Sequence, residues 1–164
     1  MQGNAEIKFG TDGWRGIIGD NYTFENLKIV SQAVADYLVT SKKVAVGYDT
    51  RFMSAEFAGI AAGILKNNGM QVMLSDRAIP TPALSFTVKS GKLDLGIMIT
   101  ASHNPPEYNG FKIKVGSGGA AGPEVTDAIE KLLGKTAPKE APNLSGRITK
   151  EDLIGGYIRF IRSY

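Results

Sequence analysis

Val44-Ala45-Val46-Gly47-Tyr48, running straight into Asp49-Thr50-Arg51, is the stretch on which the fold turns. A short, almost wholly apolar run that ends in a polar loop reads as a strand buried on both faces, and such strands belong to parallel sheets covered by helices. The flanks agree. Upstream, Phe24, Leu27, Val30, Val34, Tyr37 and Leu38 fall on one helical face, with Thr23 as N-cap and Glu25 in the first turn, where the helix dipole favours an anion. Downstream, Ser54 reads as the cap of a second helix with Phe57, Ile60, Ala61, Ile64 and Leu65 as its stripe and Gly69 past its end. Met70 to Leu74 reads as the next strand. Pro80-Thr81-Pro82 leads into a short helix, Ala83 to Lys89, that ends near Gly91, and Leu93 to Thr100 is a third strand. Phe111-Lys112-Ile113-Lys114-Val115 alternates apolar and charged residues, as expected of an outer strand with one wet face, just past a tight Asn109-Gly110 turn. A glycine loop follows over 116–122, then a helix from Pro123 to about Leu133, a polar linker over 135–146, and a helical pattern from Thr149 to Tyr164. Repeated strand-then-helix alternation predicts an α/β fold, a three-layer α/β/α sandwich around a mainly parallel mixed sheet. The expected organisation is one domain over residues 1–148 and a helix over 149–164.

Composition narrows the chemistry. The 164 residues include no cysteine, one histidine and one tryptophan. Disulfides, thiolate zinc sites and cysteine nucleophiles are excluded, as are sites that need two imidazoles from one chain. A metal held here is expected to be a hard cation on oxygen ligands. The net charge of +3 is not clustered, Lys42-Lys43 being the longest basic run, so charge gives nucleic-acid binding little support. A slightly cationic surface also suits a small anionic substrate. No 18-residue apolar run spans a membrane and the N-terminus lacks the apolar core of a signal peptide, so a cytoplasmic location is the default expectation. The one excess is glycine, 20 residues, about 12% against a usual ~7%. The glycines cluster beside apolar runs, where α/β proteins place functional loops.

Ligands collect at the carboxyl ends of the strands in open α/β sheets. Two predicted loops fall there, Asp49-Thr50-Arg51 and Ser102-His103-Asn104-Pro105, and a third polar segment, Phe9 to Gly16, contributes Arg15, whose planar fork suits phosphate. Ser102 is the candidate nucleophile. Adjacent side chains diverge in extended backbone, which makes His103 a poor triad base, and no G-x-S-x-G elbow surrounds the serine, so acyl hydrolysis is disfavoured. Phosphoryl transfer, in which positioning and cations do most of the work, suits a serine amid Arg15, Arg51 and Lys112 better. The glycine loop after Val115 imitates a dinucleotide site, but its spacing is G-x-G-x-x-x-G and the strand before it is half wet; a mobile surface loop is expected instead.

Three segments in order carry a resemblance: Phe9-Gly10-Thr11-Asp12-Gly13-Trp14-Arg15-Gly16, Val46-Gly47-Tyr48-Asp49-Thr50-Arg51, and Thr100-Ala101-Ser102-His103-Asn104-Pro105-Pro106-Glu107-Tyr108-Asn109-Gly110-Phe111-Lys112. Over about residues 7–150 the chain resembles the first domain of the α-D-phosphohexomutases, the phosphoglucomutase/phosphomannomutase family. The resemblance implies that Ser102 is phosphorylated and donates its phosphoryl group to a hexose 1- or 6-phosphate. The hexose 1,6-bisphosphate then turns over and returns its other phosphate. It implies Mg²⁺ on one oxygen of the Ser102 phosphate, Lys112 as a general acid/base, Arg15 close to the transferring group, and His103 contacting substrate or helping proton transfer. Asp49, Arg51, Asn104 and Asn109 are expected to bind phosphate or to support the loop, and Trp14 to serve packing. The family's Asp-Gly-Asp-x-Asp metal loop has no counterpart, since no two aspartates here are spaced Asp-x-Asp. The expectation is therefore a fragment of a longer enzyme whose remaining domains complete the site, inactive alone. The alternative is a stand-alone, non-catalytic module for sugar-phosphate binding or for interaction.

Overall fold

The computed structural model describes residues 7–39, 42–140 and 148–164. In chain order the elements are β1 (Gly13–Ile17), α1 (Phe24–Leu38), β2 (Lys43–Tyr48), α2 (Ser54–Asn67), β3 (Gln71–Ser75), α3 (Thr81–Ser90), β4 (Leu95–Ile99), β5 (Tyr108–Val115), α4 (Pro123–Glu130), β6 (Lys150–Glu151) and α5 (Gly155–Arg162). The strands form one six-stranded sheet in the order β1-β5-β4-β2-β3-β6. β4, β2, β3 and β6 are parallel neighbours, and β5 runs antiparallel to both β4 and β1, so only β5 is reversed.

Both faces of the sheet are covered. On one side Leu27, Val30 and Val34 of α1, Phe57, Ala61 and Leu65 of α2, and Ile129 of α4 pack with Val44, Val46, Ile97, Ile99, Phe111 and Ile113. On the other, Ala83, Leu84 and Val88 of α3 meet Ala45 and Met98, and Leu153 extends that cluster towards α5. The fold is therefore the expected three-layer α/β/α sandwich. β2 buries both faces because its odd and even residues enter different clusters, which explains its unbroken apolar run.

Several local expectations change. The supposed outer strand at Phe111–Val115 is an inner one, and Asn109-Gly110 is not a turn but part of it. The N-terminal glycine-rich segment supplies β1, which pairs across the outer side of β5 with Trp14 opposite Phe111 and Arg15 opposite Gly110. Lys112 and Lys114 retain only 8% and 9% exposure, so the alternation that imitates a wet face records lysine stems lying along the sheet. β1 and β5 approach so closely at Gly13, where φ is +153°, that a Cβ there would lie 2.1 Å from the Phe111 carbonyl oxygen. Ser54 is the first residue of α2 and not its cap; Met53, in the left-handed region, precedes it and makes no side-chain capping bond. Thr23 does cap α1, its hydroxyl accepting the Asn26 N–H at 3.2 Å.

Helix α4 stops at Glu130 and continues as turns instead of running to Leu133. The glycine loop is tied back, with the Val115 N–H donating to Gly119 O and the Ala121 N–H to Ile113 O. The helical pattern expected from Thr149 begins only at Gly155, because Lys150 and Glu151 first join the edge of the sheet beside β3. Half of the linker expected over 135–146, residues 141–146, lies outside the described residues.

Candidate functional site

β2 and β4 are parallel neighbours with Tyr48 opposite Ile99, so the loops after them leave the sheet side by side. Between them lies a cleft of about 490 Å³ lined by Asp49, Thr50, Arg51, Phe52, Ser102 and Asn104, among others.

Arg51 organises the serine loop. One terminal nitrogen donates to the carbonyls of Pro105 (2.8 Å) and Tyr108 (3.0 Å), and the other to those of Ser102 (2.8 Å) and Asn104 (2.6 Å). Its Nε faces Asp49 Oδ2 at 3.5 Å. The four terminal N–H groups are all spent on loop carbonyls and Nε faces a carboxylate, so Arg51 braces the loop and does not present its fork to a phosphate.

Asp49 is equally engaged. Oδ1 accepts from the Arg51 N–H and the Ser54 hydroxyl, both at 2.9 Å, and Oδ2 accepts from the Thr100 hydroxyl at 2.5 Å. Ser54 Oγ in turn accepts from Asn109 Nδ2 at 2.9 Å, while Asn109 Oδ1 accepts the Gly110 N–H at 2.8 Å. Thr100 Oγ1 accepts the Ser102 N–H at 3.0 Å. One buried polar chain thus runs from β5 through α2 and the β2 loop to the backbone of Ser102.

Ser102 sits at the exposed end of that chain with φ of +54°, a left-handed conformation that costs a non-glycine residue about 1–3 kcal/mol. Its N–H is held by Thr100 and its C=O by Arg51. His103 beside it is exposed, and its imidazole makes no hydrogen bond or ion pair among the described residues. Arg15, exposed on β1, donates to Asn104 Oδ1 at 3.2 Å, which brings the first segment to the serine loop. Lys112 Nζ lies 3.5 Å from Asp12 Oδ2, with Asp12 at φ +64°. Of the three cations named from the sequence, Arg51 and Lys112 are each offset by a carboxylate. Arg15 has no carboxylate partner among the described residues.

The floor of the site is aromatic. Trp14, 2% exposed, stacks on Tyr22 at 4.6 Å between centroids, and the ring edge of Phe57 closes the group. The Tyr22 hydroxyl donates to Gly110 O at 3.0 Å, an oxygen that also accepts the Thr100 N–H. Burial, helped by the Asp49 carboxylate, raises the Tyr22 pKa well above its ordinary value, so the phenol remains a neutral donor. Gly110 must be glycine for the strands to meet here, since a Cβ would lie 2.5 Å from Thr100 O.

The structure therefore brings Ser102, His103, Asn104, Arg51, Asp49, Asn109 and Arg15 to one corner, with Lys112 one pleat further along β5. Sequence reasoning passed over Thr100, Ser54 and the Asp12 partner of Lys112. Only the position of Thr100, two residues before the serine, offered a signal. Among the described residues no three carboxylate or imidazole groups converge on a point, and both Asp49 oxygens are occupied. The donors present do not by themselves form a cage for a divalent cation.

Residues 6–140 match the family model described as phosphoglucomutase/phosphomannomutase, alpha/beta/alpha domain I. The phosphoglucomutase of Staphylococcus saprophyticus is 38% identical over 133 residues, covering 77% of this chain and 24% of that protein. That of Staphylococcus epidermidis is 41% identical over 140 residues, covering 79% and 26%. Among solved structures, a putative phosphomannomutase from Thermus thermophilus superposes with a TM-score of 0.87 at 40% identity, over 98% of this chain and 36% of that one. A phosphoglucomutase/phosphomannomutase family protein from Burkholderia thailandensis gives 0.75 at 25%, over 93% and 34%. The chain thus spans about a quarter of the length of these curated relatives and about a third of the solved chains. With its α/β/α layers, its serine loop and the family model agreeing over most of its length, the chain belongs to the phosphoglucomutase/phosphomannomutase family and carries that family's domain I.

Proposed function

We propose that this chain is the serine-bearing part of a phosphohexomutase that interconverts a cytoplasmic hexose 1-phosphate and 6-phosphate, glucose or mannose. Ser102 is the phosphoryl carrier. In the first half-reaction the bond between phosphorus and Ser102 Oγ breaks as a sugar hydroxyl bonds to phosphorus and loses its proton. The resulting hexose 1,6-bisphosphate reorients, and its other phosphate returns to Ser102. The observation that carries this reading is the Ser102 hydroxyl held out on a left-handed residue whose N–H and C=O are both fixed, in a loop that Arg15, without a carboxylate partner among the described residues, reaches through Asn104. A serine phosphate bears roughly −1.5 to −2 charges, and Arg15 supplies fixed positive charge at that corner. Lys112 is the general acid/base at the sugar hydroxyl, its ammonium oriented by Asp12. His103 contacts the substrate.

The Mg²⁺ implied by the family resemblance finds one prospective ligand in this chain, an oxygen of the Ser102 phosphate; the described residues do not complete its shell. The remaining ligands, like the rest of the sugar site, belong to further domains of a longer enzyme, so the 164-residue chain alone is expected to lack sustained turnover. The test is intact-mass analysis after incubation with glucose 1,6-bisphosphate and Mg²⁺. A gain of one phosphate that Ser102→Ala abolishes is expected. Saturable hexose-phosphate binding with Ser102 unmodified, and indifferent to Ser102→Ala, would show a binding module instead.

A further inference from the structure

We infer that Thr100 is the positioning residue that fixes the Ser102 nucleophile. Three observations converge on its hydroxyl. It donates to Asp49 Oδ2 at 2.5 Å, so its proton has a defined direction. Its oxygen is therefore turned to accept, and what it accepts is the Ser102 N–H at 3.0 Å. Thr100 is itself only 4% exposed and sits where its own N–H is held by Gly110 O at 2.9 Å, so the hydroxyl cannot wander.

The consequence falls on Ser102. A serine in the left-handed region relaxes to an extended or right-handed conformation unless its surroundings over-determine it. Arg51 holds the carbonyl side, but that contact alone leaves rotation about the N–Cα bond open. The Thr100 bond closes it from the amide side, and the pair of contacts selects the direction in which Cβ, and hence Oγ, leaves the backbone. Asp49 thereby serves both ends of the clamp, orienting the Thr100 hydroxyl through Oδ2 and facing Arg51 through the same oxygen. Ser54 and Asn109 hold the other carboxylate oxygen in place. The kinetic consequence rests on the phosphoserine reading above; the geometric one does not.

The experiment compares Thr100→Val, which keeps the shape and removes the hydroxyl, with Thr100→Ser, which keeps the hydroxyl. Folding is checked by circular dichroism, and Thr100→Ala replaces the valine variant if that one does not fold. Two readouts are taken: amide hydrogen exchange at Ser102, and the rate of Ser102 phosphorylation by glucose 1,6-bisphosphate followed by mass. In Thr100→Val the Ser102 amide is expected to exchange at least about tenfold faster and phosphate uptake to slow by at least about tenfold, while Thr100→Ser restores both to within about threefold. Ser102 exchange unchanged in Thr100→Val overturns the clamp, as does a serine variant no better than valine. If the unaltered chain takes up no phosphate, the phosphoserine reading fails, and the exchange comparison alone decides the clamp.

Discussion

Replacing Arg51 by lysine tests how the serine loop is held, because it keeps the charge and removes the fork. The arginine reaches four loop carbonyls at 2.6–3.0 Å and the Asp49 carboxylate at 3.5 Å, with its side chain only 13% exposed. A lysine ammonium is a single point with three donors and reaches two of those oxygens at most. Hydrogen bonds from a charged donor contribute about 1.5–3 kcal/mol each when shielded, and two of the four bonds are open enough for water to take over. The net loss in Arg51→Lys is therefore about 2–4 kcal/mol, and for Arg51→Met, which also strips Asp49 of its counter-charge, about 3–5 kcal/mol. For a chain of this size that lowers Tm by roughly 5–15 °C. Urea titration followed by circular dichroism gives the stability, and amide exchange over residues 102–108 gives the local effect. A lysine variant within about 1 kcal/mol of the parent, with those amides equally protected, would refute the reasoning, since it would mean that water serves the carbonyls as well as the guanidinium does.

Two further perturbations probe the frame around the site. Gly13→Ala forces a Cβ to within 2.1 Å of Phe111 O and 2.9 Å of Lys112 Cα, both backbone atoms, so thermal unfolding is expected to show a loss of at least about 3 kcal/mol; a change under about 1 kcal/mol would contradict the register of β1 on β5. Asp94 has its carboxyl held below the ordinary 3.8, first by the Lys43 backbone N–H and then by Lys42. A depressed carboxylate contributes stability above its unfolded value and loses it as pH falls through the folded one. Urea midpoints should therefore drop less steeply below about pH 4 in Asp94→Asn than in the parent, and identical slopes would remove Asp94 from the acid response.

How much of this was legible in the sequence depended on whether the signal was local. α1 and β2 were readable because a periodic stripe or a doubly buried run is written in consecutive residues, and Thr23 announced its cap. β5 was misread for a physical reason: alternating lysines look the same whether they face water or lie along a covered sheet, and the strand that makes β5 an inner one comes from the far end of the chain. β1 itself was hidden because two of its five residues are glycine and only Trp14 and Ile17 mark a pattern. At the candidate site, Ser102, Arg15 and Lys112 were singled out through a recognisable string of residues, whereas the Asp49–Thr100 and Asn109–Ser54 bonds span 51 and 55 positions and leave no local trace. Arg51, read either as a phosphate contact or as a brace, commits its four terminal N–H groups to the loop and turns Nε to Asp49. That choice depended on where four carbonyls point, which composition cannot reveal.

The reversal of β5 also gives the site an order of assembly. Tyr22 and the Gly110 carbonyl it grips are 88 positions apart, and Arg15 meets Asn104 across 89. At translation speeds of about 5–20 residues per second, the first strand waits on the order of 5–20 s after synthesis before its partner exists. Helices α1, α2 and α3 and the strands β2, β3 and β4 are all made in that interval, so β1 docks after elements that follow it in the chain. The corner that holds Ser102 is thus closed only once β5 exists, and a nascent chain halted before Tyr108 would carry β1 to β4 with Ser102 and Arg51 but without Asn109, Gly110 and Lys112.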